Sequence, residues 1–225
     1  MERGSPFGQR RRHGSRLSCC WCRDGRLDRK SPFGQHRRRG SRLSSSLRLI
    51  GGRDMREAHF HRPLIPNATY FITAVAERRR RLFADGELAG VVVEQWRHYQ
   101  GPLEFHLDAY VVMPDHCHVV LTTGEQHTIA QIVHAVHSYT ATLINARWGL
   151  ARKRAIWQRP YWDEVIRDEA MYWEKVAYVL LNPWRAGLVR EPTDPYPFSN
   201  LQEWVEREGG EFVAELLGRY RRRGE

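Results

Sequence analysis

The chain has 225 residues, with 36 Lys+Arg against 26 Asp+Glu for a formal net charge of +10, and four cysteines. That length suits one domain of ordinary size plus extensions, able to bury an apolar core without disulfides. No apolar run approaches the eighteen or so residues of a membrane span, and the arginine-rich start lacks the apolar stretch of a secretory signal; the expectation is a soluble, cytoplasmic protein without a membrane partner.

The positive charge is confined to one end. Residues 1–54 carry 15 Lys+Arg against 4 Asp+Glu, a net of +11, whereas residues 55–225 carry 21 against 22, a net of -1. The first segment also contains a duplication, SPFGQRRRHGSRLS from Ser5 and SPFGQHRRRGSRLS from Ser31, at a period of 26 residues. Copies built mostly of Arg, Ser and Gly have no apolar pattern with which to stack, so 1–54 reads as a disordered basic extension. It is either a nucleic-acid-binding arm or read-through of repetitive DNA ahead of an initiator at Met55. Cys19, Cys20 and Cys22 crowd together without a fourth ligand at workable spacing, which makes a zinc site a poor fit. Any case for nucleic acid in the remaining chain has to come from local chemistry.

Ordered texture begins at Thr69, where TYFITAVA reads as a β-strand. Leu82 to Tyr99 places Leu88, Val91, Val92 and Trp96 at helical spacing, with a stop at Gly101-Pro102. Leu103 to Met113 and His116 to Thr122 read as a hairpin turning at Pro114-Asp115. A second helix is expected over Thr128 to Asn145, and a third from about Glu169 to Leu181, ended by Asn182-Pro183. Strands alternating with helices around an antiparallel hairpin predict an α+β domain with a ferredoxin-like sheet over 55–200, followed by a helical tail over 201–225.

Residues i and i+2 of a strand share a face, so His116 and His118 can both reach one ion while Cys117 and Val119 point to the opposite, buried face. Neutral imidazole is a common transition-metal ligand. An HxH pattern alone is equally two histidines on a polar strand face.

Four phrases lie around that pair: AYVVMPDHCHVVL, then IWQRPYWDEVIRDE, YVLLNPWRAGLV and YPFSN. Together they resemble the REP-associated tyrosine transposases, relatives of small insertion-sequence transposases within the single-tyrosine HUH endonuclease superfamily, and the likeness runs from about His59 to Asn200. The resemblance implies a metal-dependent single-strand DNA endonuclease and strand transferase. It would act near hairpins of repetitive extragenic palindromes through a 5′-phosphotyrosine, with Mg2+ or Mn2+, as a monomer or dimer associated with the nucleoid. It assigns the metal to His116 and His118 and the nucleophile to Tyr178. Asn182, one helical turn on, becomes a third ligand, although it also reads as a helix cap before Pro183. Tyr172 and Tyr139 are competing tyrosines outside the family position. Family relatives read bases beside the hairpin with the segment before the first strand, here His61 and Arg62.

Other DNA contacts are expected from the basic runs that include Arg78, Arg79, Arg80, Arg152 and Arg154. Trp157, Tyr161 and Trp162 offer stacking faces, but Trp157 and Trp162 flank an apparent strand and read as core. Glu164 stands where relatives usually carry histidine, which leaves its role open between a hydrogen bond, an approach to the metal and loss of activity. The alternatives to an active transesterase are an inactive, domesticated hairpin-binding descendant and a hydrolase in which the histidines activate water.

Overall fold

The computed structural model describes residues 64–149 and 154–221. The duplicated extension, Met55, His61, Arg62 and Arg152 lie outside the described residues. Four strands form one antiparallel sheet in the order β2-β3-β1-β4: β1 (Thr69–Val75), β2 (His106–Met113), β3 (His116–Thr122) and β4 (Trp162–Val165). Helices α1 (Gly86–Tyr99) and α2 (Ile129–Arg147) connect them in the βαββαβ order of a ferredoxin-like sheet. Three further helices, α3 (Glu169–Arg185), α4 (Leu201–Glu208) and α5 (Gly210–Arg221), complete the α+β domain. Among the described residues no helix is long and apolar enough to cross a membrane.

Both sheet faces are covered, which is why the central strands are buried almost throughout. On one face Ile72, Ala74, Cys117, Val119 and Leu121 pack with Leu88, Val92 and Trp96 of α1 and Ile132, Val133 and Val136 of α2. On the other, Phe71, Ala109, Val111, Met113 and Val120 pack with Val176, Val179 and Leu180 of α3, and with Trp204 of α4 and Leu217 of α5. The alternation of β3 thus sends Cys117 to the first core and its histidine neighbours to the second.

Element boundaries follow local capping. The helix expected from Leu82 begins at Gly86, because Leu82–Ala84 is a separate 3-10 turn and the Asp85 carboxylate accepts the Glu87 N–H at 2.9 Å, capping α1. A turn takes up Leu103 and Glu104, the latter at φ 49°, so β2 starts at His106. The Thr128 hydroxyl and Gln131 form a reciprocal capping box at the start of α2.

Helix α3 does not stop at Asn182-Pro183. It runs through Pro183 to Arg185 and closes on a Schellman motif, in which the Leu188 N–H donates to the Pro183 carbonyl at 2.8 Å and the Gly187 N–H to the Trp184 carbonyl at 2.9 Å. Gly187 adopts φ 66°, the left-handed conformation this closure requires. Asn182 is therefore inside the helix, with its carbonyl accepting from the Ala186 N–H at 3.0 Å, and the cap reading is excluded. The sequence points to the proline as the stop, since it lacks a backbone donor; the stop is the glycine five residues after Asn182. Replacing Gly187 by alanine imposes a Cβ on a left-handed backbone, with an expected loss of about 1–2 kcal/mol in urea unfolding. Unchanged stability would mean that the closure does not hold the end of α3.

Candidate functional site

The α3 face of the sheet carries the candidate site. Antiparallel pairing aligns Val111, His118, Thr73 and Trp162 in one row across the four strands, with Met113, His116 and Val75 in the next and Ala109, Val120, Phe71 and Glu164 on the other side. His118 is 5% exposed. Its Nδ1 lies 2.9 Å from the Thr73 hydroxyl, and its ring stacks on Phe71 with centroids 5.4 Å apart. Burial pushes the His118 imidazole down to about 3, with the nearby His116 adding to the effect, so it is neutral at pH 7 and in the form that ligates metals.

His116 is half-buried, and its ring meets that of His118 edge-on at 4.8 Å. The Asp115 carboxylate lies 2.6 Å from its Nδ1. Burial works to raise the Asp115 carboxyl, but the bond and charge of His116, together with Arg79 at 3.4 Å, outweigh it and hold the carboxyl below its usual range. Each histidine therefore engages a separate partner through Nδ1, and among the described residues neither Nε2 makes a hydrogen bond. The Asp115 carboxylate can only accept, so it selects the His116 tautomer with the proton on Nδ1 and the Nε2 lone pair free, and the Thr73 hydroxyl is compatible with the same tautomer of His118. The donor set suits a cation held from one side. Among the described residues no three His, Cys, Asp or Glu side chains converge on a common point, and burial pushes the Cys117 thiol up to about 12 on the opposite face.

Tyr178 extends from α3 toward the same pair. It is 37% exposed, and its ring meets the His118 ring edge-on at 5.2 Å and the Phe71 ring at 5.8 Å. The Arg185 guanidinium lies 5.6 Å from the ring centroid. Asn182 follows one turn later on the same helix face, and its side chain makes no hydrogen bond among the described residues. The competing tyrosines are accounted for elsewhere. Tyr172 donates to Asp108 at 3.1 Å, and burial together with that carboxylate raises its phenol far above the ordinary range. Tyr139 belongs to α2 on the far side of the sheet.

Glu164 reaches the α3 face but forms an ion pair with Lys175 at 2.8 Å, and the Lys175 ammonium sits 4.8 Å over the Phe71 ring. Arg78, Arg80 and Arg154 line one open depression of about 350 Å³ with Glu77 and Ala155. Arg79 points the other way, to Asp115. Trp157 is core, but Trp162 is 66% exposed, against expectation: it occupies the edge strand, where no neighbouring strand covers it. Sequence reasoning missed Asp115, Thr73, Phe71 and Lys175. Asp115 was visible beside His116, whereas Thr73 and Phe71 could be found only from the strand register.

Residues 65–172 match the family described as IS200-like transposases; the matched segment contains both histidines and ends before Tyr178. A REP-associated tyrosine transposase of Escherichia coli K12 is 25% identical over 162 residues, covering 67% of this chain and 86% of that protein. A Haemophilus influenzae protein is 24% identical over 162 residues, covering 67% of this chain and 89% of its own length. The solved structure of a REP-associated tyrosine transposase bound to a REP hairpin superposes with a TM-score of 0.56 at 25% identity, covering 68% of this chain and 87% of that one. The sheet order, the paired histidines and these likenesses agree: residues 65–172 match the IS200-like transposase family, and the chain is similar to the REP-associated tyrosine transposases.

Proposed function

We propose that the chain is a metal-dependent transesterase that nicks and rejoins single-stranded DNA beside hairpins of the repetitive extragenic palindrome type, with Tyr178 as nucleophile. The observation that carries this reading is the contact of the half-exposed Tyr178 ring with the buried His118 ring at 5.2 Å, on the face that also carries His116. A relative solved with a REP hairpin supports the choice of DNA. Histidines and tyrosine from one chain support use of the tyrosine in cis.

His116 and His118 would hold a divalent cation such as Mg2+ or Mn2+ through Nε2, with the Asn182 amide oxygen as a third donor from α3. When bound there, the cation supplies Lewis-acid stabilisation of the charge that builds on the phosphate oxygens. Asp115 and Thr73 keep the imidazoles in register. A free phenol is a weak nucleophile at neutral pH, and the Arg185 guanidinium beside the Tyr178 ring places a positive charge next to the attacking residue. The Tyr178 oxygen forms a bond to phosphorus as the bond to the 3′ oxygen breaks. The phenol gives up its proton and the departing 3′ oxygen gains one, leaving a 5′-phosphotyrosine and a free 3′-hydroxyl. Attack by a 3′-hydroxyl on that phosphotyrosine reverses each bond change and rejoins a strand without a nucleotide cofactor.

Incubation of wild-type protein with Mn2+ and a hairpin oligonucleotide bearing a single-stranded flank should give a covalent adduct on denaturing gels, absent from Tyr178→Phe. Cleavage that survives Tyr178→Phe without an adduct would replace this reading with hydrolysis, and binding without any cleavage by wild type would replace it with a binding role. Asp115→Ala should weaken Mn2+ binding, measured by calorimetry, by about 10- to 100-fold, and Asp115→Asn by less; equal affinities would remove Asp115 from the site. As pH falls, an unfolded-chain imidazole takes up a proton from about 6.5, whereas His118 stays neutral until about 3, so its contribution to stability is present above 6.5 and lost on acidification. Between pH 7 and 5 the metal-free wild type should lose about 1–2 kcal/mol more unfolding free energy than His118→Gln. Parallel pH profiles of the two proteins would contradict the buried neutral imidazole.

A further inference from the structure

Trp162 is the most exposed large apolar side chain among the described residues, at 66%, although it lies in a strand. A scattered exposed apolar residue needs no explanation by itself. The position of this one does. Trp162 pairs with Thr73, and Thr73 pairs on its other side with His118, so indole, hydroxyl and imidazole occupy one row on one face. At the spacing of neighbouring strands the Trp162 and His118 backbones are roughly 10 Å apart. That is comparable to the span from a phosphate to a base one or two nucleotides away. β4 is the edge of the sheet, so the outer side of the indole faces no further strand.

The surroundings suit an anionic strand better than another protein. Exposed Arg159 and Arg167 flank the strand; of its carboxylates, Glu164 on the same face is paired with Lys175 at 2.8 Å, Asp163 alternates to the opposite face, and Asp168 beyond the strand is engaged in capping α3. Trp157, five residues earlier, is buried against Phe83 with ring centroids 5.0 Å apart. The two tryptophans of the IWQRPYW phrase are thereby divided, one for the core and one for the surface.

We propose that Trp162 is a stacking platform for one unpaired base of the single-stranded DNA, one or two nucleotides from the phosphate at the histidine pair. The inference rests on the transposase reading above and adds a specificity-determining residue to it. Stacking requires a base free of its partner, so Trp162 would favour single-stranded flank over duplex at that position.

The test uses the whole chain and a fluorescein-labelled stem-loop oligonucleotide with a ten-nucleotide mixed-sequence flank, read by anisotropy. Trp162→Ala should bind about 5- to 150-fold more weakly, while Trp162→Phe keeps most of the affinity and both melt with the wild type. A series of flanks each lacking one base should contain a position whose loss weakens the wild type but leaves Trp162→Ala unaffected. Undiminished binding by Trp162→Ala, or equal sensitivity of both proteins to every abasic position, would overturn the platform while leaving the transposase reading intact. Failure of the wild type to bind the stem-loop would overturn both.

Discussion

Strand β3 is buried on both faces, and its two-residue alternation then leaves no freedom in where its side chains go. Cys117, Val119 and Leu121 fill the core under α1 and α2, so His116, His118 and Val120 must enter the layer beneath α3. A shift of one residue would bury two imidazoles among the first core and send three apolar side chains to the site. The hydrophobic requirement on one side of the sheet therefore fixes where the two imidazoles stand on the other. It also fixes the ionisation state, because an imidazole at 5% exposure has too little water around it to hold a proton at neutral pH.

Tyr178 is placed by the same means from the opposite direction. Val176, Val179 and Leu180 anchor α3 in the second core, and the Schellman closure at Gly187 keeps the helix regular through Asn182. Phe71 lies between the two halves: its ring is stacked on His118, meets Tyr178 edge-on and carries the Lys175 ammonium over its face. One aromatic side chain on β1 thus sets the approach of the tyrosine to the histidine, without itself having any reactive group.

The alternating and helical periods in the sequence identify three of the four strands and the first three helices in outline, while β4 begins at Trp162, where the apparent strand of the sequence ends; the HxH spacing places both histidines on one face, because these signals are local. Family phrases singled out Tyr178 before its surroundings were known. The indole of Trp162 reads as core because its apolar character is a local property, whereas its exposure depends on β4 being an edge, which only the sheet order reveals. Asn182 was ambiguous for a similar reason. A proline inside a terminal turn and a proline after a cap share one sequence, and the deciding glycine lies further on. The hydroxyl of Thr73 and the ring of Phe71 came into view only through cross-strand register, a pairing of residues more than 40 positions apart along the chain.

The YPFSN phrase, which helped to identify the family, has no place at the reacting groups. Tyr196 donates to the Val112 carbonyl at 3.1 Å, the Val112 N–H donates to the Phe198 carbonyl at 2.8 Å, and the buried Asn200 side chain accepts from the Tyr110 N–H and donates to the Asp108 carbonyl, each at 3.0 Å. These bonds occupy the outer rim of β2, which would otherwise present unpaired amides and carbonyls beside Val111 and Met113. Without these bonds β2 would be an open edge able to template pairing with other strands, so the segment that carries part of the family likeness also closes the rim of the sheet.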